Sequence, residues 1–446
     1  MDERYREAVD SASTMLANAL LADIPYLLDQ GLGLDRFVMD MLRAVGLMVL
    51  SIVSRTLCIS LVERAKGSGL TVHERALVRF KTLFGEVEVD SPYLWSRQTG
   101  ASARPMKEVL GVTGDGASEA VHRAMVDFGS EKSFNRAAKS FKEHYGWEVG
   151  TTTVHRGTLA AAREAKVYVE ARLQEASQAS AMPGAEQPGV ETLVVELDGC
   201  DIRTGILMTA AQAGQTACEP DARVRIEQWK EVRTGLVRPL DSGESTYVCR
   251  MGPYPDICEQ VFAAACARGL TPRTMVIAPG DGGNGLREAL AAPFVHFQYI
   301  LDYPHLKAHC YETAEALGME AALRHRWVAT QMDRLWNGNV ADVLADFIRL
   351  QDTKPNDRLR RLIAHLTRFA DAVHYAEYKE RGWPIGSGEI ESAHRYVPQE
   401  RLKIAGACWH PQSVNPMLAL RVIRINGWWD DFWQWHAQER RAKRAS

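Results

Sequence analysis

The sequence predicts an α/β chain, with a mixed five-stranded sheet flanked by helices, an all-helical insertion, and a mainly α-helical N-terminal region in front. Three observations predict it. From residue 192 to 302 apolar strand-like runs and amphipathic runs follow one another in the order β-β-β-α-β-α-β. Two of those strands are read as ending in an aspartate, Asp198 and Asp281, each of which taken singly would be a turn or helix cap, and the last ends in Asp302. Beyond Asp302 the pattern turns helical and stays so to about residue 382.

Taken in order, residues 1–75 carry apolar side chains at three and four spacing, for example Leu42, Val45, Val49 and Val53, and are predicted helical. Their most apolar stretch, "AVGLMVLSIVS" at 44–54, is about half of the ~20 residues a membrane span needs, so a buried helix or a dimer contact is expected there and no membrane partner. The segment 76–95 alternates apolar and polar residues around Gly85 and predicts a β-hairpin. Next, "SFNRAAKSFKEHYGWEVGTTTVHRGTLAAA" predicts a helix from Ser133 to about Tyr145, a stop at Gly146, and a second helix capped by Thr151 or Thr152. Such a helix-turn-helix would present Thr153, His155 and Arg156 to a DNA groove; the plainer alternative is a helical hairpin. Residues 76–174 are accordingly read as a DNA-binding region, and the small, proline-bearing 175–191 as a linker.

Residues 192–446 form the last domain. "TLVVELDG", "RVRIEQWKEVRTGLV" and "STYVCRM" read as strands, "DICEQVFAAACARG" as a helix, "RTMVIAPGD" as a strand, "GLREALAA" as a helix and "VHFQYILD" as a strand. An insertion at about 306–382 and a basic, tryptophan-rich C-terminal segment complete it.

Composition sets outer limits. The chain is 46% hydrophobic and 24% charged, ordinary for a globular protein, and its net charge of −3 offers no global attraction for nucleic acid. Any DNA contact must come from local patches. Eight cysteines show no C-x-x-C pair, which fits reduced thiols rather than a zinc site or disulfides, and the charged start "MDERYREAVD" has no signal-peptide core; a cytoplasmic protein is expected.

"VIAPGDGGNGLREAL" at 276–290 places Gly280, Gly282 and Gly285 in the spacing G-x-G-x-x-G between a strand and a helix. A dinucleotide cradle is the obvious reading, and Asp302 stands near where a ribose-binding acid would. Asp281 argues against it, because its charge would sit among the amides meant for a pyrophosphate. The chain also fails to return to alternating strands and helices. In the other reading the glycines let the backbone turn sharply and mount the single carboxylate of Asp281. If Asp198 and Asp281 end neighbouring strands, as in a ribonuclease-H-like sheet, they supply two of three oxygen ligands for a pair of Mg²⁺ or Mn²⁺ ions, the arrangement of metal-assisted phosphoryl transfer. "WPIGSGEIESAHRYV" at 383–397 offers Glu389 or Glu391 as the third; two apart on a helix they point about 200° away from each other, so one of them at most faces the metals.

"LDG" at 197–199, "GDG" at 280–282, "LDYPH" at 301–305 and "PIGSGEIESAHRYVPQERLKIAGACW" at 384–409, together with "LFGEVEVDSPY" and "SFNRAAKSFKEHYGWEV", resemble the DDE-type transposases of bacterial insertion sequences, specifically the ISKra group related to Mutator-like elements. The resemblance implies an RNase H-like catalytic core and a metal-binding triad of Asp198, Asp281 and Glu391, with Glu391 preferred because the family's acid directly precedes a small residue, here Ser392. It implies a near-site D-x-x-H pair in Asp302 and His305, and it implies double-stranded DNA partners: the element's terminal inverted repeats and the target. Cooperation of two DNA ends makes a homodimer or higher oligomer the expected form. The second aspartate is followed here by "GGNGL", where the group has Gly-Ala and an aromatic. Among the basic residues near the C-terminus, Arg401 and Lys403 follow the catalytic segment most closely and are the expected phosphate contacts. A cleavage-only nuclease of the same fold and a domesticated, catalytically silent DNA-binding protein are the alternatives.

Overall fold

A computed structural model describes the chain except for residues 1–2, 31–32, 111–115, 182–188, 216–218, 220 and 446. Two compact units emerge, Met1–Gly157 and Thr158–Ser446.

In the first unit, α1 (Arg6–Leu21) and α2 (Ile24–Gln30) lead into α3 (Leu34–Gly67). One face of α3, with Leu47, Leu50, Cys58, Leu61 and Val62, packs on Phe80, Val87 and Val89 of a hairpin formed by β1 (Thr71–Thr82) and β2 (Gly85–Trp95). The hairpin is where the alternation placed it, turning through Leu83–Phe84, with a short third strand, β3 (Ser102–Ala103), added beside β2 and followed by α4 (Pro105–Val109). Helix α3 corrects one expectation. It is continuous over 34 residues, and an 18-residue window in it has mean hydropathy 2.1 and is 17% buried, so by length and composition it is long and apolar enough to cross a membrane. Its second face is exposed at Leu42, Val49, Ile52 and Ile59, a heptad-like seam about 200° round from Leu47 and Leu50.

The rest of this unit is helical. α5 (Glu119–Glu131), α6 (Phe134–Tyr145) and the start of α7 (Thr151–Ala181) enclose a core of Val121, Met125, Ala137, Phe141 and Val154. Ser133 caps α6 by accepting from the Arg136 N–H, and Gly146 stops it at φ 74°, as the sequence required. The entry to α7 differs: Thr153 and Val154 donate to the Gly150 carbonyl, so the helix starts one residue before Thr151 could cap it through its side chain. Nor does α7 stop at a linker. It continues to Ala181, so 175–181 is helix, and residues 182–188 lie outside the described ones.

The second unit is built on a five-stranded sheet of β4 (Thr192–Thr209), β5 (Arg223–Pro239), β6 (Thr246–Met251), β7 (Met275–Gly280) and β8 (His296–Leu301), in the order β6-β5-β4-β7-β8. β5 runs antiparallel to both its neighbours, β4 and β6, whereas β7 and β8 run parallel to β4. Apolar runs such as Leu193–Val195 and Val276–Ala278 are fully buried because helices cover both faces. The Gly235 position abuts Val261 of α8 (Tyr254–Ala267), while its neighbour Leu236 packs on Ile390 and Ala393 of α15 (Gly388–His394). Successive strand residues face opposite ways, so α8 and α15 lie on opposite faces of the sheet. α9 (Leu286–Ala291) joins β7 to β8. The predicted insertion is α10 (Tyr303–Ala316), α11 (Ala321–Trp336), α12 (Val340–Thr353), α13 (Asp357–Arg368) and α14 (Tyr375–Glu380); α16 (Glu400–Leu402), α17 (Pro411–Ile425) and α18 (Trp429–Ala445) close the chain. The C-terminal aromatics are largely core: Phe432 and Trp433 are buried, and Tyr168 of α7 meets Phe432 and Trp435. The seven described cysteines are free thiols.

Candidate active site

The expected acids sit along one edge of this sheet. β4 and β7 pair from Thr192↔Met275 to Val194↔Ile277, and that pairing ends four residues before Asp198. β7 and β8 pair with an offset of 21, Gly280↔Leu301, so Asp281 is level with Asp302, whose N–H donates to the Gly280 carbonyl at 2.9 Å. Asp281 and Asp302 therefore occupy one level at the carboxyl ends of two adjacent parallel strands, the edge where open α/β sheets take their ligands. One expectation is corrected. Asp198 does not end its strand: β4 runs on to Thr209 beside β5, and Asp198 lies four residues beyond the last β4–β7 pair.

The three aspartates differ sharply in state. Asp281 is exposed, its Oδ1 accepting from the Gly283 N–H at 2.9 Å. The turn is held open by glycine for a specific reason: Gly282 has φ 82°, and a Cβ there would lie 2.4 Å from Cε1 of His365 and 2.8 Å from Phe369. The Gly282 N–H donates to the Tyr299 hydroxyl at 3.0 Å, which pins the turn to β8. Asp198 is half-buried and accepts from the Gly199 N–H at 2.7 Å. Asp302, 1% exposed, is committed to structure: Oδ2 accepts from the Ser387 N–H (2.6 Å) and hydroxyl (2.7 Å), and Oδ1 from the His305 N–H at 2.7 Å. It thus ties the N-terminus of α10 to the Gly-Ser-Gly turn before α15.

That turn aims the glutamates. Glu389 leans back to β5 in a two-pronged ion pair with Arg238, while Glu391, on the far side of the helix, is 61% exposed and meets Nε2 of His305 at 3.9 Å. Nδ1 of the same imidazole stands 3.1 Å from Asp302 Oδ1 without a hydrogen bond between them. Among the described residues, Asp198, Asp281 and Glu391 form no ion pair with lysine or arginine, unlike Glu389.

Two residues that sequence reasoning passed over complete the framework. Glu196 is two before Asp198 and shares its face of β4; it is 1% exposed, its Oε2 accepts from the Ile390 N–H at 2.9 Å, and burial pushes its carboxyl up to about 8. His394, one helical turn after Glu391, is buried, with Nε2 2.8 Å from the Asp198 carbonyl oxygen and Nδ1 3.5 Å from its carboxylate. Together they fasten α15 to β4 beside Asp198. A charged residue inside an apolar strand was the available signal for Glu196; for His394 it was the i,i+3 spacing from Glu391.

The expected DNA contacts divide. Arg401 is 2% exposed, its guanidinium stacked 4.8 Å over Trp409, and burial lowers its pKa to about 10; a phosphate contact there is corrected to a packing role. Lys403 is exposed. In the first unit His155 and Arg156 are exposed on the first turns of α7, with the His155 ring edge-on to Phe134, and Thr153 is half-buried.

As donors, three carboxylates are the hard oxygen ligands that Mg²⁺ or Mn²⁺ prefers. Among the described residues no three His, Cys, Asp or Glu side chains are gathered closely enough to enclose an ion.

No family model matches the sequence, and no curated protein matches it. Among solved structures, the chain is similar to one described as the Drosophila P element transposase strand transfer complex, at 10% identity and a TM-score of 0.30, over 69% of this chain and 91% of that one.

Proposed function

We propose that the chain is a transposase with an RNase H-like catalytic core, which binds the terminal inverted repeats of its element, cuts at their ends and joins the freed 3′-hydroxyls to target DNA. The observation that carries this reading is that α15 links the acids: its His394 meets Asp198, its Glu391 faces His305 beside Asp302, and Asp302 is level with Asp281. The strand order β6-β5-β4-β7-β8, antiparallel on one side of β4 and parallel on the other, supports the fold type. Two Mg²⁺ or Mn²⁺ ions held by Asp198, Asp281 and Glu391 would activate the attacking oxygen and stabilise the leaving one. Asp302 positions Glu391 through the turn before α15, and Glu196 and His394 hold its helix against the strand of Asp198. Lys403 contributes a phosphate contact, and Thr153, His155 and Arg156 read the repeat through the helix-turn-helix. A dimer or larger assembly is supported by the exposed heptad-like face of α3.

A catalytically silent DNA-binding protein is favoured by one observation, the absence among the described residues of a gathered ligand set. Incubating plasmid carrying the DNA that flanks the gene with Mn²⁺ separates the readings. Cuts at defined ends that vanish with Asp281→Asn support the transposase. Binding without cuts, unaltered by that substitution, leaves the silent protein.

A further inference from the structure

Helices α10 and α13 of the insertion enclose a cleft of about 270 Å³ lined by His309, Thr313, Arg358, Arg361, Leu362 and His365. Its chemistry is that of an anion site. Arg358 is ion-paired with Glu312, which also takes His309 Nδ1 at 3.3 Å, so one positive charge is already balanced. Arg361 is not: among the described residues it makes no ion pair, and its one hydrogen bond is from Nε to the Asp357 carbonyl at 3.3 Å. Burial holds both imidazoles below their ordinary range, so near neutral pH they are neutral rings able to donate one N–H each.

Two polar atoms in this cleft have no partner. Thr313 is 1% exposed and its hydroxyl makes no hydrogen bond; Nε2 of His365 is likewise buried and unsatisfied. A buried polar atom left unpaired costs about 1–3 kcal/mol, so two in one cleft call for a ligand with several acceptors. The location adds the direction. Cε1 of His365 is the atom that a Cβ at Gly282 would meet at 2.4 Å, next to Asp281, so the cleft opens beside the turn that carries the exposed acid.

We propose that this cleft is a phosphate-binding subsite, with Arg361 supplying charge and Thr313 and His365 supplying hydrogen bonds, and that the phosphate it takes belongs to the backbone of the DNA strand lying across Asp281. The second half rests on the transposase reading; the first does not. A free phosphate compound would present the same oxygens, and the test separates the two sources.

Wild-type protein, Arg361→Gln and Thr313→Val are compared in two arms. The first follows thermal unfolding with and without millimolar inorganic phosphate at constant ionic strength. The second measures binding of a labelled duplex of flanking DNA by fluorescence anisotropy over a salt series. The expected result is a smaller phosphate-induced rise in unfolding temperature for both variants, and a salt slope lowered by about 0.9 for Arg361→Gln, the loss of one duplex phosphate contact. Between 50 and 200 mM salt that changes the drop in affinity about threefold. A phosphate response that depends on Arg361 with an unchanged DNA slope overturns the DNA assignment and leaves a site for free phosphate. Equal responses of all proteins in both arms overturn the subsite. If wild-type protein binds no DNA, the transposase reading fails, while the phosphate arm still decides the cleft.

Discussion

Replacing Glu196 by glutamine probes the joint between β4 and α15. The carboxyl accepts from the Ile390 N–H in a site that is 1% exposed, with Glu389 and Asp302 adding negative potential and Arg238 only partly offsetting it. Burial first, and those acids after it, raise its pKa from 4.5 to about 8. The sign follows from proton counting. Below the unfolded value both states hold the proton; between 4.5 and about 8 only the folded chain does, so stability falls as pH rises through that window and the contribution is gone above it. Each unit is worth about 1.4 kcal/mol, so the window of roughly 3.5 units amounts to about 5 kcal/mol. Glutamine keeps an oxygen for the Ile390 N–H and cannot ionise. Urea unfolding followed by tryptophan fluorescence at a series of pH values is therefore expected to show the stability difference moving by about 4 kcal/mol in favour of Glu196→Gln between pH 5 and pH 8. His309 and His365, which burial shifts downward, oppose this slope, but equally in both proteins, so the difference isolates Glu196. Parallel pH profiles would refute a buried, proton-holding carboxyl at this joint.

Other substitutions test neighbouring pieces. Gly282→Ala faces both a left-handed φ of 82° and His365 at 2.4 Å, so it should lose at least about 2 kcal/mol of stability by thermal unfolding, whereas Gly285→Ala, at φ 78° with nothing within 4 Å, should lose only the backbone part, about 1 kcal/mol. Asp302→Ala strips acceptors from Ser387 and His305 in a buried site and should cost at least about 3 kcal/mol, with protease sensitivity rising in the 383–388 turn. Ile52→Lys, on the exposed face of α3, should shift the protein toward monomer in light scattering; an unchanged mass would remove that face from the assembly.

Much of this arrangement was legible in the residues. Period-two and period-3.6 patterning located the hairpin, the strands of the sheet and the helical insertion, since burial on one or both faces dictates those periods. The two-residue spacing of Glu389 and Glu391 already required them to diverge, and they do, one to Arg238 and the other toward His305. What sequence could not reveal depends on long-range packing. The polar continuation of β4 beyond Asp198 is strand only because β5 pairs with it to Arg223, a partner fourteen residues further along the chain from Thr209 (223 − 209 = 14). Arg401 reads as a surface cation until Trp409 folds over it, and Asp302 reads as a near-site acid whose structural task shows only when Ser387 arrives from the far end of the insertion. The stretch 175–181 has the small polar residues of a linker, yet it continues a helix begun at Thr151.

The central claim is that Asp198, Asp281 and Glu391 act together on DNA while Glu389 serves the fold. The most direct measurement is Mn²⁺-dependent cleavage of flanking DNA, mapped at nucleotide resolution, by the wild type, Asp198→Asn, Asp281→Asn, Glu391→Gln and Glu389→Gln. The expected result is cutting at defined element ends that falls by at least about a hundredfold in each of the first three variants and by far less in Glu389→Gln. Undiminished cutting by Glu391→Gln, or equal loss with Glu389→Gln at unchanged folding, would contradict the assignment.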